Sequence, residues 1–131
     1  PTPSMAFRNG RLLMPFGTPG GDVQCQSMVQ LFLNVSEFGM NVQQAIEAPR
    51  ISTWNFPNSF WPHAYHKNLI GIEGRIHSDT LAALSSMGHE LEVWDDWTPR
   101  MGALCAIEVD HERGALFGGA DLRRDGYAIG R

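Results

Sequence analysis

Six consecutive residues, Gly17-Thr18-Pro19-Gly20-Gly21-Asp22, constrain this chain more than any other feature. Three glycines and a proline interrupt strand and helix alike, so the segment must be a reversal between two regular elements. On its N-terminal side, residues 4–7 and 12–16 are apolar-rich runs joined across Arg8-Asn9-Gly10-Arg11, where Asn-Gly supplies the positive φ of a tight hairpin turn. On its C-terminal side the apolar period changes from 2 to 3.6 over residues 23–38. The pattern predicts a hairpin, a glycine turn and then a helix.

That helix carries Cys25, Met28, Val29, Leu31, Phe32, Leu33 and Val35 around most of its circumference, which predicts burial against a sheet. Gln26, Gln30, Asn34 and Glu37 fall on one narrow stripe, read as a thin solvent edge. Phe38-Gly39 ends the helix, and Asn41 is placed to cap a second one over 42–48, stopped by Pro49. Strands are predicted over 50–53, 69–76 and 89–94. A helix over 79–87, capped by Ser78 and closed at Gly88, separates the last two. A second hairpin, 103–109 with 115–120, follows, and the count favours an α+β fold; the length of 131 residues limits 1–131 to one domain or part of one.

Composition excludes several functions. The formal net charge is −4 and the basic residues are scattered, so no nucleic-acid footprint is present. No apolar run approaches the roughly 20 residues of a membrane helix, and the start lacks the pattern of a signal peptide. No compartment is indicated. Cys25 and Cys105 lack CxxC spacing and lie among apolar neighbours, which predicts small buried hydrophobes, not a disulfide framework or a nucleophile.

Gly20-Gly21 is the strongest chemical signal. Two residues without Cβ let successive backbone N–H groups share one concavity, and the helix that follows adds partial positive charge. Such a turn suits an oxyanion, although an ordinary tight turn has the same composition. It is neither GxGxxG nor GxxxxGK[ST], and Asp22 disfavours phosphate. His63 and His66 lack neighbouring ligands for a metal site. GxSxG is missing, so there is no nucleophile elbow. Trp54, Phe56, Phe60, Trp61 and Tyr65, inside an organised loop over 54–68, read first as a mini-core pinning that loop and second as a wall covering substrate. Asp95 and Asp96 read as a solvated pair, and Ile72-Glu73-Gly74-Arg75 as natural sequence despite its likeness to a protease site.

Taken together, PSMAFRNGRLLMPFGTPGGD, LNVSEFGMNVQQAIEAPRI, SDTLAALSSMGHELEV, MGALCAIEVD and GGADLRRDGYAIGR resemble, in order and spacing, the C-terminal end of the gamma-glutamyltransferase family. The resemblance covers nearly the whole chain. It implies part of an αββα sandwich of the N-terminal-nucleophile hydrolases, in which a self-cleaving precursor exposes a threonine that attacks a γ-glutamyl amide. It also implies that Gly20 and Gly21 supply the oxyanion hole, with no cofactor and no metal. The threonine and the groups that hold the substrate's α-amino and α-carboxylate lie upstream in the family, so the chain alone is expected to be inactive.

The expected partners are therefore the remainder of its own precursor, namely the large subunit and the N-terminal part of the small subunit, and a γ-glutamyl or other acyl amide. Apolar surface left bare by the missing layers should also drive association with that remainder or with a second copy as a homo-oligomer. Two departures bear on substrate. Asp121-Leu122-Arg123 stands where the family often has Asp-Pro-Arg, and Asp22 after the glycines resembles the acylase-like bacterial branch. The rival expectations are an acylase acting on glutaryl or other acyl amides, and a non-catalytic module that keeps the fold.

Overall fold

Asn9 and Gly10 take φ values of 52° and 76°, the pair of left-handed conformations that a two-residue hairpin turn needs. They join β1 (Thr2–Arg8) to β2 (Arg11–Thr18) as antiparallel partners, with one register irregularity at Ala6/Phe7. The coordinates are a computed structural model, and they describe residues 2–131. Four strands form the first sheet in the order β1-β2-β6-β7, where β6 (Cys105–Asp110) and β7 (Ala115–Ala120) are the second predicted hairpin.

One face of this sheet is covered by α1 (Val23–Ser36) and α2 (Val42–Glu47). Met14 from β2, Leu104 beside β6 and Ala106 within it meet Met28, Leu31, Val42, Ala45 and Ile46 in the main core. Small residues in β7 let α2 come close: a Cβ on Gly119 would lie 2.8 Å from Cδ1 of Ile46. Asn41 caps α2 reciprocally with Gln44, its Oδ1 accepting from the Gln44 N–H at 2.9 Å while Gln44 Oε1 accepts from the Asn41 N–H at 3.1 Å. The helix stops at Ala48-Pro49, as proline requires.

The opposite face of the sheet is bare. Met5, Cys105, Ile107 and Leu116 are exposed there, beside the terminal residues Tyr127 and Ile129, around an open cavity of about 970 Å³. Cys105 therefore corrects the expectation of burial, because strand alternation puts it on the bare face while Leu104 and Ala106 point into the core. Cys25 is likewise exposed, on the outer side of α1. That helix is less buried than its composition suggests, and Val29 and Leu33 face outward.

A second sheet, β3-β4-β5, comprises β3 (Ile51–Thr53), β4 (Leu69–Glu73) and β5 (Glu90–Trp94). The first two run antiparallel and the last two parallel, with α3 (Ser78–Ser86) as the connection between β4 and β5. His77, not Ser78, caps α3, its Nδ1 accepting from the Asp79 N–H at 3.3 Å. The supposed polar stripe of α1 joins this sheet to the first. Gln26 bonds both the N–H (2.8 Å) and the C=O (3.2 Å) of Thr53, and Gln30 does the same to Ile51 (2.9 and 2.8 Å). Two glutamines one helical turn apart thus satisfy the free edge of β3 in place of a further strand, and the edge that was read as solvated is a contact.

Four buried charges fasten these parts together. Glu73 at the end of β4 accepts from Arg123 Nε (2.5 Å), Arg123 Nη2 (2.6 Å), the Arg50 N–H (2.9 Å) and Arg75 Nη2 (3.1 Å). Arg50, only 2% exposed, bonds Asp121 at 2.7 Å and the carbonyls of Ile46 and Met101. Arg123 reaches Asp121 and the carbonyls of Ile46 and Ala48. Burial pulls the Arg50 pKa down to about 10 against the opposing pull of Asp121. At Asp121 burial acts upward, but Arg50 and the N–H groups of Arg123 and Leu104 outweigh it and hold the carboxyl below the usual range.

Removing one charge from such a cluster leaves its partners buried and unpaired. Glu73→Ala is expected to destabilise by about 3–5 kcal/mol, read as a lower midpoint in urea. Because the folded carboxyl of Asp121 titrates lower than in the unfolded chain, its contribution is complete above about pH 4 and disappears as pH falls through the folded value. Asp121→Asn should therefore lower stability at neutral pH and flatten the acid limb of the stability profile.

Candidate active site

Gly20 and Gly21 follow β2 directly and lead into α1. Gly20 has φ 138° and Gly21 φ 60°, and neither conformation suits a residue with a side chain. Their carbonyls accept from the Val23 (3.4 Å) and Gln24 (3.1 Å) N–H groups, which starts the helix. Among the described residues, neither the Gly20 nor the Gly21 N–H donates to another protein group. The two free donors stand at the positive end of a 14-residue helix, the environment that favours a developing negative charge.

The turn is fixed from behind. Thr18 Oγ1 donates to the Pro19 carbonyl at 2.8 Å and accepts from the Ala103 N–H at 2.8 Å. Gly102 (φ 85°) packs against Gly20, and a Cβ on Gly102 would lie 2.4 Å from Thr18 Oγ1. Ser27 of α1 donates to the Met101 carbonyl at 2.9 Å, and Arg50 Nη1 bonds the same oxygen. The short 3₁₀ turn Pro99–Met101 is thereby tied to α1 and to the buried charge cluster. Thr18, Pro19 and Ala103 also line the open cavity on the bare sheet face, which places the glycine turn at its rim.

The Asp22 carboxylate is engaged by the loop over residues 54–68. Its carboxylate accepts from the Ser59 N–H at 2.7 Å and from the Ser59 hydroxyl at 2.5 Å. Those two bonds hold the Asp22 carboxyl below its usual pKa. They also draw residues 54–68 across the turn, so that a Cβ on Gly21 would meet Cε2 of Phe60 at 3.2 Å. No signal local to Asp22 or Ser59 reveals this pairing, because the partners are 37 residues apart.

The loop itself corrects the reading of an aromatic mini-core. Phe60, Trp61 and Tyr65 are 65%, 87% and 52% exposed, and only Trp54 packs inward, edge-on to Trp94 at 6.4 Å. The loop is held by polar bonds: Asn58 N–H to Ala64 O at 2.9 Å, His63 N–H to Phe60 O at 2.7 Å, and the Phe60 N–H to Asn58 Oδ1 at 2.8 Å. His63 and His66 are exposed, with His63 Nδ1 2.8 Å from the Asn58 carbonyl. Asp95 and Asp96 are exposed as well.

The gamma-glutamyltranspeptidase family model matches residues 1–131. The chain is 38% identical over 128 residues to a glutathione hydrolase-like proenzyme (YwrD) of Bacillus subtilis, covering 98% of this chain and 23% of that protein. It is 34% identical over 128 residues to the oxamate amidohydrolase proenzyme of Klebsiella pneumoniae, again covering 98% of this chain and 23% of the relative. Among solved structures, the cephalosporin acylase of Bacillus halodurans superposes with a TM-score of 0.81 at 30% identity, over 95% of this chain and 21% of that one. The chain thus spans less than a quarter of the length of these relatives.

If the Asp22–Ser59 pair holds the loop in place, Ser59→Ala should speed limited proteolysis within residues 54–68 several-fold at neutral pH while leaving the thermal midpoint nearly unchanged. Equal cleavage rates in the two proteins would show that the loop is held without it.

Proposed function

The chain belongs to the gamma-glutamyltranspeptidase family, and its helix-covered sheet is part of an αββα N-terminal-nucleophile hydrolase sandwich; from this we propose that the complete protein cleaves amides and that Gly20 and Gly21 stabilise the tetrahedral intermediate. Residues 1–131 are the C-terminal segment of the small subunit. The remainder of the precursor covers the bare sheet face and carries the threonine nucleophile. The observation that supports this reading most directly is the pair of N–H groups, unengaged among the described residues, that follow Thr18 and Pro19 of the cavity lining.

In the proposed reaction the threonine hydroxyl attacks the amide carbon while its own α-amine takes the proton. The carbonyl π electrons move to oxygen, and the Gly20 and Gly21 N–H groups donate to the resulting oxyanion. Collapse of the intermediate breaks the C–N bond, and the amine leaves with the proton. Water then hydrolyses the acyl ester, or an amino acid takes up the acyl group. The donors are effective because they are in place beforehand: positive φ at both glycines, the Thr18 bonds and the Gly102 contact remove the cost of aligning them during the reaction.

The acyl group we assign is γ-glutamyl, as in glutathione. One observation favours a second reading, an acylase on glutaryl or other acyl amides, which lack the α-ammonium of γ-glutamyl: the acid beside the glycine turn, Asp22, is engaged by Ser59, and exposed aromatic rings stand next to it. Rates of the intact enzyme on γ-glutamyl and glutaryl anilides separate the two, and equal or reversed preference would select the acylase.

Gly21→Ala in the full-length enzyme is expected to lower kcat by roughly ten- to a thousand-fold with little change in KM, because a methyl group disturbs the amide and strains a φ of 60°. An unchanged kcat would remove Gly21 from the oxyanion hole.

A further inference from the structure

The loop over residues 54–68 is too exposed to be a core and too well bonded to be a loose connection. Its three outward rings, Phe60, Trp61 and Tyr65, lie in a segment fixed by Asn58, by His63 and by the two hydrogen bonds that Ser59 donates to Asp22. Trp61 is further held edge-on to His63 at 6.0 Å. A folded chain rarely spends this much rigid aromatic surface on solvent without a binding role.

Position narrows what the rings can bind. Phe60 touches Gly21, so the wall begins where the proposed oxyanion site ends. Residues 54–66 contain no lysine, arginine, aspartate or glutamate, and the nearest acid, Asp22, is already occupied by Ser59. Such a surface offers no Lys, Arg, Asp or Glu side chain to pair with an ammonium or carboxylate group. It offers flat apolar area to a ring or an extended hydrocarbon.

Resting on the assignment of Gly20 and Gly21 as oxyanion donors, we propose that Phe60 and Trp61 are specificity-determining residues that receive an aromatic or extended apolar group of the substrate next to the scissile carbonyl. That group belongs either to the leaving amine or to the acyl chain. Ser59 and Asp22 are positioning residues, which act by holding the wall against the turn.

The test uses the full-length processed enzyme and two substrate pairs. One pair keeps the γ-glutamyl group and compares an anilide with the unsubstituted amide. The other keeps the amine and compares a phenyl-bearing acyl chain with a short one. In Trp61→Ala the ratio of kcat/KM, apolar over small, should fall by about ten-fold or more in one pair, chiefly through KM; the pair that responds identifies the side of the carbonyl. Trp61→Leu, which keeps apolar area, should recover part of the ratio.

Ratios that stay constant in both pairs overturn the proposal, even if total activity drops, because that pattern belongs to a wall buried against the rest of the protein. Gly21→Ala, run alongside, should depress kcat on all four substrates to a similar degree. If Gly21→Ala is silent while Trp61→Ala shifts a ratio, the oxyanion assignment fails and the wall stands. The reverse pattern removes the wall and keeps the oxyanion hole.

Discussion

The cluster of Arg50, Glu73, Asp121 and Arg123 is the point on which the rest of the structure depends. Two guanidinium groups and two carboxylates balance formally, and each carboxylate also accepts a backbone N–H. Burying four charges is expensive, and buried ion pairs in general often add no more stability than apolar residues of the same shape. What such a cluster supplies is register. Arg50 and Arg123 take the Ile46 and Ala48 carbonyls that α2 leaves unpaired at its C-terminus. Glu73 fixes the end of β4, Asp121 fixes the segment entering β6 through the Leu104 N–H, and Arg50 holds the Met101 carbonyl.

That last bond connects the cluster to the glycine turn. Met101 precedes Gly102, whose backbone packs on Gly20 and whose neighbour Ala103 donates to Thr18. A continuous series of contacts thus runs from a buried ion cluster to the backbone donors at the rim of the cavity. Rigid backing of this kind is what an oxyanion site requires, since its benefit lies in donors that need not reorganise. Asp121-Leu122-Arg123 therefore has a structural role here through its two charged residues, while Leu122 is exposed and outside the network.

Legibility in the sequence followed the range of the interactions. The Asn9-Gly10 turn, the Asn41 cap, the stop at Pro49 and the left-handed Gly88 depend on a few neighbouring residues, and all lie where the pattern puts them. The second hairpin was equally plain. Gln26 and Gln30 were seen as a polar stripe, but a helical wheel does not reveal that a strand edge lies opposite. The ion cluster joins four positions drawn from three separate stretches, and Ile72-Glu73-Gly74-Arg75 offered only a misleading likeness. At the candidate site the glycine pair was readable as a strand-to-helix reversal, because both positions take the positive φ that glycine permits, whereas the oxyanion role comes from the family resemblance. The latch from Asp22 to Ser59 was not, and without it the aromatic loop had no assigned neighbour.

The bare face of the first sheet and the glycine turn are two aspects of one arrangement. Oxyanion stabilisation by backbone amides weakens in open water, because a high dielectric and competing solvent both reduce it. In the chain by itself Thr18 and Pro19, which lead into the glycine turn, line an open cavity together with Met5, Cys105, Ile107 and Leu116. On the proposed reading, one event remedies both conditions: a second sheet that covers these apolar side chains also dries the rim and brings the attacking group to it. Folding energy and catalytic environment then come from the same buried surface. The aromatic loop, none of whose residues lines that cavity, is latched to Asp22 beside the glycine turn.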